Sequence, residues 1–265
     1  MIHPTAIIHT KAKLDPTVQV GPYAVIDEGV ELGAHCIVGP HVYLTGPATT
    51  AGVHNHFHAG SVIGDAPQDL KYNGAPTRLR IGDHNIFREH VTVHRSTTPD
   101  GVTIIGSHNY LMAGAHVAHN CIVRDHVIMA NGALLGGYVE VQDRAFLSGN
   151  CCVHQFCRVG TLALTQGGTV LSLDLPPFTV AMHVNGICGL NVVGLRRAGF
   201  TVEQRMELKR LYHVLFRGGK NLRVAVAEAR EKFSSTPAIQ LLDFIAQTKR
   251  GVSTDVGNGN GRDDK

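Results

Sequence analysis

The segment "IGSHNYLMAGAHVAHNCIVRDHVIM", residues 105 to 129, puts an aliphatic side chain at Ile105, Leu111, Val117, Val123 and Met129, one at every sixth position. Neither the 3.6-residue period of a helix nor the two-residue alternation of a long strand produces such a column. A very short strand followed by a tight turn does, if the unit repeats. The column runs on without a gap through Leu135, Val141, Leu147 and Val153 to Val159. Upstream it holds Ile8, Leu14, Val20, Ile26, Leu32, Val38 and Leu44, then, after a one-residue shift, Phe57, Ile63, Ile81, Phe87 and Val93.

Two further columns accompany the first. Glycine follows the aliphatic at positions 21, 33, 39, 64, 82, 106, 136 and 160. Four residues after the aliphatic stands a small or β-branched side chain, among them Ala115, Cys121, Val127, Ala133, Val139, Ala145, Cys151 and Cys157. Three hexads per coil make a triangular solenoid with every apolar column pointing inward and each coil covering the next. One long and one small apolar residue per face fill a narrow prism, which accounts for 30 glycines, no tryptophan and only 6% aromatic residues. At about 4.8 Å per coil, ten coils span roughly 45 to 50 Å.

The period breaks twice. "DAPQDLKYNGAPTRLR" (65 to 80) reads as an extruded loop, and "HRSTTPDGVT" (94 to 103) puts Pro99 where an aliphatic is due. Loops thrown out of a rigid solenoid are common carriers of binding residues. After "DLPPF" (174 to 178) the hexads end, giving a solenoid over residues 1 to 186 and a helical domain over 187 to 251. A helix is predicted over 201 to 217, opened by a Thr201/Gln204 capping box and stopped by Gly218-Gly219, with two more over 221 to 232 and from Thr236 to near Gly251. Residues 252 to 265 read as a disordered tail.

Charge is uneven: residues 1 to 189 hold 10 Lys and Arg against 13 Asp and Glu, and the remainder 14 against 8. This modest basic excess comes with no nucleic-acid-binding motif. No apolar run nears the roughly 18 residues of a membrane span, and "MIHPTAIIHT" lacks the flanks of a signal peptide, so a cytosolic protein is expected. The six cysteines form no CxxC pair, and four of them fall in the small-residue column, where packing is the expected role.

An 18-residue coil sets Gly137 above His119 and Gln155 above Gly137: a base, a bare backbone position and an amide in one column. Most of the 17 histidines, such as His35, His41, His84, His90, His108 and His126, recur at one turn position and read as solvated surface. His116 and His119 lie outside that column. A zinc pair is the rival reading of HxxH, since some hexapeptide-repeat proteins, the γ-class carbonic anhydrases, hold zinc between subunits. Strand geometry sends residues three apart to opposite faces, which argues against one shared ion, and no metal or cofactor is expected.

The hexads resemble those of the hexapeptide-repeat acyltransferases, which implies a left-handed parallel β-helix, an exception to the usual right-handed crossover. "AHVAHN" (115 to 120), "VHQF" (153 to 156), "QDLKY" (68 to 72), "DLPPF" and "GLNVVGLRRAGF" (189 to 200) are similar to blocks of the UDP-N-acetylglucosamine O-acyltransferase family, over about residues 2 to 250. The resemblance implies a homotrimer with sites between subunits, moving a 3-hydroxyacyl chain from acyl carrier protein to the 3-hydroxyl of a UDP-sugar in the first step of lipid A biosynthesis. It implies His119 as general base and Gly137 as oxyanion donor. Gln68, Asp69, Lys71, His116, Tyr138, His154, Gln155, Asn191 and Arg197 match substrate-binding positions, and Gly167 the position that limits acyl length.

Four residues depart from that family's pattern: Asn120 stands for an aspartate beside the base, Tyr138 for a histidine, Val193 for a glutamate and Ala198 for an arginine. Asn120 matches the sibling N-acyltransferases, so acylation of a 3-amino sugar nucleotide is the first alternative, and a non-catalytic or zinc-binding solenoid the second. The basic C-terminal residues, Arg196, Arg197, Lys209, Arg210, Arg217, Lys220 and Arg223, suit an acidic carrier protein.

Overall fold

The computed structural model describes residues 1–257. The chain forms a left-handed parallel β-helix followed by a short helical region. Strands of mostly two residues stack into three sheets, one per face of the prism. The first face runs from Ile7–Ile8 to Val170–Leu171 in nine strands, the second from Lys13–Leu14 to Arg158–Val159 in eight, and the third starts at Gln19–Val20 and holds eleven.

Register follows the sequence arithmetic. Val117 pairs with Leu135 and Leu135 with Val153, one coil apart each time. The loops are inserted without breaking this ladder: Val62 pairs with Thr92 and Arg80 with Ile104, so twelve and six extra residues leave the prism and return in phase. Both loops are shorter than the sequence suggests. Residues 78 to 80 belong to strand Arg78–Ile81, His94 closes Thr92–His94, and residues 102 and 103 open Val102–Ile105. The backbone rejoins its ladder as soon as a neighbouring coil offers partners, because an unpaired buried N–H or C=O is costly.

The aliphatic column is buried throughout, and Cys36, Cys121, Cys151 and Cys157 are buried in the small column beside it. All six cysteines are free. Burial pushes the Cys121 thiol up to about 12, so it packs as a small apolar group. The repeated histidines occupy exposed turns at positive φ, and the rings of His35, His54, His84, His108 and His126 stack in one line with centroids 4.7 to 4.9 Å apart. Among the described residues, no three His, Cys, Asp or Glu side chains converge as metal ligands.

Among the described residues four α-helices follow: α1 Val192–Arg197, α2 Val202–Tyr212, α3 Leu222–Arg230 and α4 Thr236–Ala246. The first is absent from the sequence-based expectation because its six residues are too few to display an apolar period. The Thr201/Gln204 capping box forms, and α2 continues as a π-turn over His213–Arg217. These helices close a second apolar core around Leu195, Leu208, Leu211, Leu241 and Phe178.

Residues 252 to 257 contradict the expected disordered tail. Val252 and Ser253 are buried, and Thr254–Asp255 adds a parallel strand to Gly186–Leu190, which itself turns antiparallel onto Thr179–Met182. Asp255 accepts hydrogen bonds from Tyr212 and Arg217, which anchors the segment. Residues 258 to 265, the rest of that expected tail, lie outside the described residues. Among the described residues, no helix is long and apolar enough to cross a membrane.

Candidate active site

His119 sits just past the two-residue strand His116–Val117, at the corner where the first face turns, and only 9% of it is exposed. Its carbonyl accepts the Tyr138 N–H at 3.0 Å, and the Gly137 carbonyl accepts the Phe156 N–H at 3.0 Å, which fixes the predicted vertical stack. The imidazole lies against the bare face of Gly137: a Cβ placed there would stand 2.7 Å from His119 Nε2. Only glycine leaves room for the ring. The Gly137 N–H meets no acceptor among the described residues.

His116 and His119 line the same cleft, of about 490 Å³, contrary to the opposite-face expectation. Alternation holds only within a strand, and this one ends at Val117 before His119 is reached. Burial, reinforced by His94 and His119 nearby, pulls His116 down to about 4, so it is neutral at pH 7. Its Nδ1 is 2.7 Å from Thr92 Oγ1.

Gln68, His154 and Gln155 line this cleft with the two histidines and Gly137. The other predicted residues are distributed differently. Asp69 caps its own loop by accepting the Lys71 N–H at 2.9 Å, and Lys71 is exposed. Asn191 caps α1, accepting from Gly194 N and donating to Leu162 O at 2.9 Å each, at the edge of a separate groove beside Val193 and Lys209. Arg197 is exposed at the end of α1. Gly167 is exposed, and a Cβ there would meet only Gly149 O, at 3.6 Å.

Tyr138 is at positive φ one coil above Asn120 and stacks on Phe156 at 4.9 Å, its hydroxyl 3.2 Å from Thr97 Oγ1. Asn120 Oδ1 lies 3.0 Å from His119 Nδ1. It therefore gives His119 a neutral hydrogen-bond partner without the charge of a carboxylate.

Sequence reasoning missed two parts of the site. His94 is buried beside His116, ring centroids 5.0 Å apart, with no hydrogen-bond partner for Nδ1 among the described residues. Its position at a loop border, in the coil below and two residues past Thr92, the register partner of His116, was the available signal. The second part is an apolar strip climbing the first face from His116 through Leu134 and Cys152 to Val170, all outward-facing and in register. The 18-residue period would have revealed it.

Residues 11–46 and 103–137 match the family described as bacterial transferase hexapeptide (six repeats), and residues 174–253 match UDP N-acetylglucosamine O-acyltransferase, domain 2. A curated protein of Thiobacillus denitrificans named acyl-[acyl-carrier-protein]–UDP-N-acetylglucosamine O-acyltransferase is 47% identical over 254 residues, covering 95% of this chain and 98% of that one. The chain belongs to the UDP-N-acetylglucosamine O-acyltransferase family. A relative of the same name from Gloeothece citriformis is also 47% identical, over 93% of this chain and 90% of its own. Among solved structures, Francisella novicida UDP-N-acetylglucosamine acyltransferase superposes with a TM-score of 0.92 at 35% identity, covering 97% of this chain and 95% of that one. Acinetobacter baumannii LpxA gives 0.91 at 36% identity, covering 95% and 98%. The agreement extends over solenoid and helices alike, so family membership describes the whole fold.

Proposed function

We propose that the protein transfers a 3-hydroxyacyl chain from acyl carrier protein to the 3-hydroxyl of UDP-N-acetylglucosamine, opening lipid A biosynthesis, and does so in the His119 cleft without a cofactor. The observation that carries the chemistry is the His119 ring lying against the side of Gly137 where a Cβ would stand, beside a backbone N–H with no acceptor among the described residues. His119 Nε2 removes the hydroxyl proton as the sugar oxygen attacks the thioester carbonyl. The tetrahedral oxyanion is held by the Gly137 N–H, which has no acceptor among the described residues and is left available. As the oxyanion collapses the C–S bond breaks, and the carrier thiol leaves with the proton that the imidazole held. The strip of Leu134, Cys152 and Val170 offers the acyl chain an apolar path away from the reacting carbon.

Two outward faces support a homotrimer. Ile86, Tyr110, Ile128, Phe146 and Leu164 form an apolar column on the third face, against the strip on the first, while the second carries Lys13, Glu31, Arg80 and Glu140. Packing the third face of one protomer on the first face of the next would cover both and close a ring. The carrier protein is assigned to the exposed cations Arg196, Arg197, Lys209 and Arg210, none of which has a carboxylate within 4 Å among the described residues. Arg217 and Lys220 are engaged within the chain by Asp255 and Glu228. The cytoplasm supplies both substrates in this reading.

Asn120 favours a second reading, acylation of a sugar 3-amine, because a neutral partner stabilises an imidazolium less than a carboxylate does and an amine needs less help from a base. Initial rates with UDP-N-acetylglucosamine and with its 3-amino analogue, measured side by side with one acyl donor, separate the two. We expect the hydroxyl acceptor to turn over at least as fast as the amine. A rate tenfold or more in favour of the amine would establish the second reading.

A further inference from the structure

The loop between strands Thr92–His94 and Val102–Ile105 reaches back to the base through one side chain. Asn120 Oδ1 accepts the backbone N–H of Thr97 at 3.0 Å and its hydroxyl at 2.9 Å, while Asn120 Nδ2 donates to Ser96 Oγ at 2.7 Å. Ser96 Oγ in turn donates to Thr98 O and accepts the Thr98 N–H, each at 3.2 Å. A backbone N–H can only donate, so the amide oxygen must face Thr97 and the amide nitrogen must face Ser96. That same oxygen stands 3.0 Å from His119 Nδ1. An acceptor in that place holds the ring proton on Nδ1 and leaves Nε2, the nitrogen over Gly137, free to take a proton.

We propose that Ser96 and Thr97 are positioning residues that select the reactive tautomer of His119 by fixing the amide of Asn120. Gly101 completes the arrangement: a Cβ there would stand 2.8 Å from Asn120 Nδ2. The coupling is specific to the asparagine. An aspartate would accept from Thr97 and from His119 equally well, but with no N–H to place it would have no need of Ser96 as an acceptor.

The inference rests on His119 as the base, so its test has one arm that does not depend on activity. Long-range proton–nitrogen NMR of the ¹⁵N-histidine-labelled protein, assigned by comparison with His119→Gln, should show His119 protonated at Nδ1 with Nε2 bare. The Nε2–H tautomer would overturn the proposal whatever the substrate. The second arm is a double-mutant cycle. Ser96→Ala leaves a part-buried amide donor unmet and should lower kcat about tenfold in the Asn120 protein, with KM for both substrates little changed. In the Asn120→Asp background the same substitution should lower kcat less than about twofold. No loss in the asparagine protein, or equal losses in both backgrounds, would show that Ser96 serves only the shape of the loop.

Discussion

His119→Ala is expected to lower the kcat of acyl transfer by about 10²- to 10⁴-fold, the range of general-base assistance, with both KM values nearly unchanged because proton removal is needed only in the transition state. The His119 side chain is not part of the aliphatic core: it sits at a corner, against Gly137 and Asn120. Thermal unfolding should therefore shift little, which separates lost chemistry from lost fold. His119→Gln keeps most of the volume and should be as inactive, since an amide can hydrogen-bond to the hydroxyl but cannot take its proton. Steady-state kinetics of the two variants beside the parent protein check both statements.

Gly137→Ala should come close to the same result from the other side of the site. The added methyl carbon would stand 2.7 Å from His119 Nε2, too near for the ring to stay where it is. One carbon atom would thus displace the His119 ring and crowd the Gly137 N–H, to which the proposed mechanism gives the oxyanion. Loss of one such donor costs about 10²- to 10³-fold in kcat, and misplacement of the base adds to it. Gly149→Ala is the matched control: it is another turn glycine of the solenoid, where a Cβ would meet only Asn131 O, at 3.4 Å. Near-parental kcat in that control together with the expected loss at Gly137 would tie the effect to the site.

Much of this was legible in the residues because the solenoid converts sequence spacing directly into position. A six-residue column becomes one inner edge of the prism, and eighteen residues become one coil, which is how His119, Gly137 and Gln155 could be stacked on paper. The spacing rule fails where the chain leaves the prism. Ser96 and Thr97 meet Asn120 through a loop closure of more than twenty residues, and Asp255 is fixed by Tyr212 and Arg217 from a different element. Neither contact has a period. The opposite-face expectation for His116 and His119 failed for a related reason, since a strand of two residues is too short for alternation to reach the second histidine. His94 escaped notice because it closes its strand at the border of an inserted loop, where the hexad columns lapse, and it lies buried beside His116.

The departure at Asn120 gains a physical meaning from the same geometry. An orienting oxygen is retained and its charge is lost, so the tautomer is set by hydrogen bonds from a loop instead of by an ion pair. Tyr138 extends this network with its hydroxyl near Thr97 and its ring on Phe156.

The most direct test of the account is the product itself. Purified protein incubated with 3-hydroxyacyl carrier protein and UDP-N-acetylglucosamine should yield a sugar nucleotide heavier by one acyl group. NMR should place that group as an ester on the 3-oxygen, and His119→Ala should form it at the reduced rate given above. Acylation at another atom, no acylation at all, or equal product from His119→Ala would contradict the account.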